Sequence, residues 1–270
     1  MSVDPSKTQC QPNDSVKQDW IRQQNELKKS LITNNQVSWL PANNNDNNVS
    51  LHGLHYIGGI DQSYSKSNPF YACASLVVLK FPEMELVYSN YSGIVHVNQP
   101  YIPGFLAFRE FEHLSYCINK LRQEQPSLLP QVILVDGNGI LHHQEFGSAC
   151  HLGVLADIPT IGVAKNLLEV HGIARDSKHM DQIAQLSTKG DSFPLTNRSG
   201  VILGMALRSS EQSTRPIYVS VGHRLDLKTA TKIVLASCKY RLPEPIRQAD
   251  HLSREYLRIN LSELGNQEIK

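Results

Sequence analysis

Three acidic residues stand where acids are costly. Asp61 lies inside the strand-like run 56–64, Asp136 closes the apolar run 132–135, and Glu110 sits in a helical stretch behind a double-proline loop. A carboxylate at the end of a buried strand is expensive to desolvate unless a cation compensates it. If the two strands are neighbours, Asp61 and Asp136 face each other across a cleft, and Mg²⁺ or Mn²⁺ between them removes their repulsion. Such an ion keeps several waters, takes up phosphate oxygens and lowers the pKa of an attacking water. The competing reading is that both aspartates cap turns, as aspartates at strand ends before glycine commonly do.

Other residues could serve the same chemistry. Lys165 ends the apolar run 160–164, where its ammonium could meet a phosphate as a point charge or simply reach for water. His223 follows an apolar strand and Gly222, and histidine can orient or deprotonate water. It is one of eleven histidines, so composition does not select it. His142 and His143 follow Asp136 closely enough to line the same loop. Asp136-Gly137-Asn138-Gly139 presents bare backbone beside a candidate ligand, where main-chain groups could read a planar base drawn out of a strand. No Gly-Lys-Ser/Thr follows, which excludes a P-loop triphosphatase. Tyr101, held between Pro100 and Pro103, is a rigid aromatic suited to wedging between bases or stacking on them. A core tyrosine is the alternative.

The elements that must position these residues are legible in outline. A helix is predicted over 15–32 from the stripe Val16, Trp20, Ile21, Leu27, Leu31. Strands are predicted over 56–64, 71–79 and 86–97, with turns at Asn68-Pro69 and Pro82-Glu83 that let neighbours pair antiparallel. Prolines 100 and 103 fix an extended loop. A helix then fits 105–124, with Leu106, Glu110, His113, Leu114, Cys117, Ile118 and Leu121 at helical spacings. Strand 132–135, a helix around 147–155 and strand 160–164 follow in alternation. Strands over 201–207 and 217–221, a helix near 227–238, a break at Pro243 and Pro245, and a last helix over 247–258 complete the chain. Strands first and then strand–helix alternation predict one mixed α/β domain over 14–260, with helices on both faces. The polar stretch 1–13 is expected to be a disordered tail, the asparagine-rich run 42–50 an inserted loop, and 261–270 a flexible tail.

Composition sets the outer limits. The chain has 270 residues, 40% of them apolar and 19% charged, as in an ordinary globular protein. No apolar run approaches the roughly 20 residues a membrane helix needs. Five scattered cysteines with no Cys-x-x-Cys pair argue against a disulfide framework or a cysteine zinc site, and a reducing compartment is expected. The net charge of +1 hides an asymmetry: residues 198–247 hold nine Lys/Arg against three acids, and the rest of the chain holds seventeen bases and twenty-two acids. A basic segment on a slightly acidic body suits a polyanion held near carboxylates, and also suits a merely solvated surface.

Five segments in order carry a resemblance. They are Gly59-Ile60-Asp61-Gln62-Ser63-Tyr64; Pro100-Tyr101-Ile102-Pro103-Gly104 running on to Phe108-Arg109-Glu110; Leu134-Val135-Asp136-Gly137-Asn138-Gly139; 153–165; and 214–224. Each is weak alone. Together, with Tyr101 and Glu110 nine apart, they resemble the endonuclease V family over about 57–258. The resemblance implies an RNase H-like fold: a mixed sheet flanked by helices on both faces. It implies that Asp61 and Asp136 bind Mg²⁺, with Mn²⁺ able to substitute, and that Glu110, His223 and Lys165 are catalytic. It further implies that Tyr101 and Pro103 form a wedge, that Leu106, Gly137, Gly139 and Leu168 line a hypoxanthine pocket, and that His142 supports the site from behind.

By the same resemblance the substrate is inosine in single-stranded RNA, with deoxyinosine DNA as the alternative. The cut falls at the second phosphodiester bond 3′ to inosine and leaves 3′-hydroxyl and 5′-phosphate ends. The stretches 190–194 and 241–250 look like eukaryotic members, which favour RNA. A monomer is expected, in the cytoplasm and also in the nucleus or nucleolus. Junction resolvases and excision-repair incision domains lack the Pro-Tyr-Ile-Pro wedge, and a non-cleaving inosine reader would not need the full acidic set.

Overall fold

The computed structural model describes residues 14–40 and 49–267. The expected tail 1–13 and most of the expected loop 42–50 lie outside the described residues. The chain opens with α1 (Asp14–Lys28), shorter than predicted because residues 29–40 leave the helix and run along the sheet end. β1 (Tyr56–Tyr64), β2 (Tyr71–Lys80) and β3 (Glu85–Tyr91) form an antiparallel meander. The expected strand 86–97 is interrupted: β3 stops at Tyr91, Gly93 takes a φ of +79°, and a short β4 (Val95–His96) pairs with β2 separately. Residues 72–79 of β2 are buried without a break, as expected of a strand covered on both faces.

The second half alternates. α2 (Ala107–Glu124) leads to β5 (Val132–Asp136), α3 (Ser148–Ala156) to β6 (Thr160–Ala164), and α4 (Ser177–Gln185) to the antiparallel strands β7 (Ser192–Thr196), β8 (Ile202–Leu207) and β9 (Ile217–His223). α5 (Leu227–Ala236) and α6 (Glu244–Gln267) follow. The strands join in one sheet of order β3-β2-β1-β5-β6-β9-β8-β7. Among the described strands, only β1–β5 and β5–β6 pair in parallel. Alternate residues of β5 divide the core. Val132 and Leu134 pack under α5 and α6 with Ile233, Val234, Ile246 and Ala249. Ile133 and Val135 pack under α2 and α3 with Leu114, Ile118, Ala149 and Leu152.

Several elements depart from expectation for identifiable reasons. Pro243 and Pro245 were expected to break the chain before the last helix. Pro245 instead sits just inside α6, where a missing N–H costs nothing. The helix then runs past 258 to Gln267, covering most of the stretch 261–270 expected to be a tail. α4 and β7 were not anticipated. β7 buries only Phe193 and Leu195 and carries Pro194, which suits its place at the sheet edge, paired to β8 alone. No described helix is long and apolar enough to cross a membrane.

Candidate active site

Strand register brings the acids together. Ile60 pairs with Val135 across the parallel β1–β5 ladder, so Asp61 and Asp136 leave adjacent strands at one level. Asp136 pairs with Val163 on β6, and Lys165 follows two residues on. α6 lies against β1 and β2 and adds a third acid, Asp250. Its approach depends on Gly59: a Cβ there would stand 2.1 Å from the Pro245 carbonyl oxygen. One carboxylate oxygen from each of Asp61, Asp136 and Asp250 lies within 4.8 Å of the others.

Cations and hydroxyls surround the three acids. Lys165 Nζ is 2.5 Å from Asp136 Oδ2 and 3.6 Å from Asp250 Oδ1, and Arg254 Nη2 is 2.8 Å from the same Asp250 oxygen. The Ser63 and Ser253 hydroxyls each donate to Asp61 Oδ2 at 3.1 Å. Neither Asp61 nor Asp136 caps a turn. Burial, then the charges of Asp136 and Asp250, push the Asp61 carboxyl up to about 6 against the opposing Lys165 and Ser253. A set of hard anionic oxygens this mutually strained fits a small divalent cation such as Mg²⁺ or Mn²⁺.

Glu110 stands beside this group and outside it. It projects from the first turn of α2, only 7% exposed, and its Oε1 accepts from the Tyr64 hydroxyl at 3.2 Å. Burial first, then the Asp61 charge, raise it to about 8. The adjacent Arg109 guanidinium lies 5.0 Å from the Tyr64 ring centroid and 5.9 Å from that of Tyr101. Tyr101 is 57% exposed, so the core-tyrosine alternative fails. Pro103 is exposed on the same loop, and Leu106 is half-buried just before α2.

The glycine loop lies flat on the sheet. A Cβ at Gly139 would fall 1.9 Å from the Val221 carbonyl oxygen, and one at Gly162 2.3 Å from the Gly139 nitrogen. Gly139 is therefore required by close packing on β6 and β9, while at Gly137 the nearest neighbour of an added Cβ is the Ser148 side chain at 3.7 Å. His142 is buried against the Tyr101 loop, where a Cβ on Gly104 would stand 3.9 Å from its Nε2. Burial pulls its pKa down to about 4, so the ring is neutral. His143 is exposed. Leu168 packs on the cluster of Leu141, Ala164 and Tyr218, on the α2–α4 side of the sheet.

His223 is not brought to the acids. β9 runs antiparallel to β6, and His223 pairs with Thr160 at the start of β6, whereas Lys165 follows its end. Five residues of strand, roughly 16 Å, separate these levels. His223 Nδ1 accepts from the Ile32 N–H at 3.3 Å, which pins the segment after α1. The residue overlooked is Asp250. Its signal is faint: an acid beside the buried stripe Ile246, Ala249, Ser253, Leu257 of α6, flanked by arginines that suggest ordinary surface pairs.

The mixed sheet with acids at the ends of its central strands β1 and β5 is an RNase H-like fold, and fold and site together define a nuclease of that class. Residues 38–251 match the profile of the Endonuclease V family, and the chain belongs to it. Human endonuclease V is 49% identical over 242 residues, covering 90% of this chain and 83% of the relative. The mouse protein is 48% identical over 246 residues, covering 91% and 71%. The crystal structure of the human catalytic domain superposes with a TM-score of 0.88 at 47% identity, covering 93% of this chain and 99% of that one. Ciona intestinalis endonuclease V, solved with a 24mer DNA containing an inosine followed by a ribo-adenosine, gives 0.80 at 37% identity, covering 91% and 99%. The chain is accordingly an endonuclease.

Proposed function

We propose that this protein is a divalent-metal-dependent endoribonuclease that recognises inosine in single-stranded RNA. It hydrolyses the second phosphodiester bond on the 3′ side, leaving 3′-hydroxyl and 5′-phosphate ends. The observation that carries the reading is the convergence of Asp61, Asp136 and Asp250 within 4.8 Å, at the ends of the central strands near the Tyr101 loop. These three carboxylates would hold Mg²⁺, or Mn²⁺ in its place. The bound ion supplies Lewis-acid polarisation of a phosphate and a more acidic water.

The remaining roles fall to the chain's own groups. Lys165, already paired to Asp136 and Asp250, offers its ammonium to a phosphate oxygen as a point charge. Burial and the charge of Asp61 raise the Glu110 carboxyl in the metal-free site, and it stands where it could exchange a proton with an oxygen brought against it. Tyr101 fills the gap left when the recognised base leaves the stack, and Arg109 beneath it holds the loop. The base is read by backbone at Gly137 between Leu106 and Leu168, while Gly139 keeps the loop low enough to admit it. His142, neutral and buried, fixes the loop from behind.

A second substrate is favoured by one finding, the Ciona relative solved on inosine-containing DNA. One assay separates the two. Purified protein is incubated with matched inosine and adenosine oligonucleotides, as RNA and as DNA, in Mg²⁺ or EDTA. Cutting confined to inosine, dependent on Mg²⁺ and faster on RNA is expected. Equal cutting of adenosine strands, or cutting in EDTA, overturns the reading, and faster cutting of DNA moves it to deoxyinosine.

A further inference from the structure

The basic stretch 198–247 has a structural counterpart that the base pocket and the acids do not use. Tyr240 lies between α5 and α6, is 53% exposed, and rests with its ring 5.5 Å from the Arg247 guanidinium. Arg247 is itself fixed by a two-pronged pair to buried Glu244, at 2.5 and 2.8 Å. The ring is thus an exposed aromatic resting on Arg247, which stands one helical turn before Asp250 on α6. Beside it, Arg241 donates to the Lys165 carbonyl at 2.5 Å and the Pro216 carbonyl at 3.0 Å. No salt bridge to Arg241, Arg215 or Lys239 occurs among the described residues. Positive charge of Arg215, Lys239 and Arg241, outside any salt bridge among the described residues, therefore adjoins an exposed ring, and Arg241 ties it to the backbone of Lys165 beside the acids.

The position on the sheet gives the surface a direction. Leu168 stands on the α2–α4 side with Leu141 and Ala164, and the Tyr101 loop, with Leu106, leads into α2, whose Leu114 and Ile118 pack on that side with Ala149. Tyr240 joins α5 to α6, which pack on the other face with Val163 and Val219. The acids stand between, at the strand ends. A single strand whose base is drawn to the first side and whose phosphate sits on the acids leaves toward the second.

We infer that Tyr240, with Arg215, Lys239 and Arg241, is a stacking platform for single-stranded nucleic acid on the 3′ side of the cleaved bond. The inference rests on the proposed reading for the direction of the strand. A base on the free face of an aromatic ring is held without regard to its identity, and nearby cations hold the backbone. The platform therefore adds affinity and no sequence preference. Charge complementarity and continuity with the acidic site favour nucleic acid over a protein partner here.

The test uses the full chain, Tyr240→Ala and Tyr240→Phe. Inosine strands are prepared with a long 3′ arm, with a short 3′ arm, and with only the 5′ arm shortened. Tyr240→Ala should raise KM about tenfold on the long 3′ arm. It should leave KM on the short 3′ arm and kcat on both unchanged, and Tyr240→Phe should match the parent. Anisotropy with an inosine-free single strand should show the same loss in Tyr240→Ala, which speaks to the platform even if inosine preference fails. Loss of inosine preference in the parent chain speaks only to the base reading. No change in KM, an equal loss on both 3′ arms, or a loss that follows the 5′ arm overturns the inference.

Discussion

Three like charges in a small space determine the behaviour of the site. Among the described residues, Asp136 and Asp250 form ion pairs with Lys165, and Asp250 also with Arg254, and burial together with the neighbouring carboxylates raises Asp61 to about 6. Removing Asp250 should lower Mg²⁺-supported turnover by about two orders of magnitude or more, since metal stabilisation of a phosphate transition state is worth several kcal/mol. His223→Ala should instead leave turnover near the parent value and cost about 1 kcal/mol of stability through the lost Ile32 contact. Cleavage kinetics and thermal melts on both variants check this, and a catalytic collapse in His223→Ala alone would reverse the assignment. A pH dependence also follows. Asp61 and Glu110 are raised in the folded protein, to about 6 and about 8, above their ordinary values. Their contribution is full at low pH, where both are protonated, and is lost as pH climbs from about 4 through these values. The metal-free protein should therefore lose melting temperature from pH 5 to 8 and recover it with Mg²⁺ at the upper end. Asp61→Asn should flatten that slope, and an unchanged slope would contradict the burial argument. Asp61, Asp136, Glu110 and Lys165 were visible in the chain because each is a charge at the end or edge of an apolar run. Asp250 was not, because on a helix rich in i,i+3 and i,i+4 ion pairs an acid looks solvated.

Elements place these charges by fitting closely. The first turn of α6 can lie on β1 because residue 59 has no side chain. Gly59→Ala sets a methyl against the Pro245 carbonyl, so α6 must retreat and carry Asp250 with it. We expect a loss of about 1–3 kcal/mol in stability, the usual cost of overpacking a tight site. Mn²⁺ affinity should fall with it, measured by calorimetry beside denaturant melts. A variant with parent stability and affinity would show that α6 does not depend on this contact. The helix and strand periods of α2, β1, β2, β5 and β6 could be read directly, because each is a long apolar pattern with a clear stop. β7 and the start of α6 could not. In both, proline marks an ordinary edge or helix entry, and the same residue reads as a break when only neighbours in sequence are known. His223 misled for a related reason: a strand's polarity in the sheet decides which end of it meets the site, and β9 runs the other way.

At the scale of the molecule, one topological fact makes the site. The parallel trio β1-β5-β6 sends its three strands out at the same end of the sheet, with an antiparallel wing on either side and helices on both faces. Acids separated by 75 residues in the chain thereby stand on neighbouring strands, and the third arrives 114 residues later on α6. The alternation of elements made the α/β class legible, but not the order β1-β5-β6, since parallel register depends on contacts far apart in sequence. The same order separates a base-reading side from the Tyr240 side and sets the acids on the boundary. The most direct test is a crystal of the protein grown with Mn²⁺ and examined by anomalous diffraction. A single strong peak coordinated by Asp61, Asp136 and Asp250 is predicted, and a peak held elsewhere, or none with these three carboxylates apart, would contradict the account.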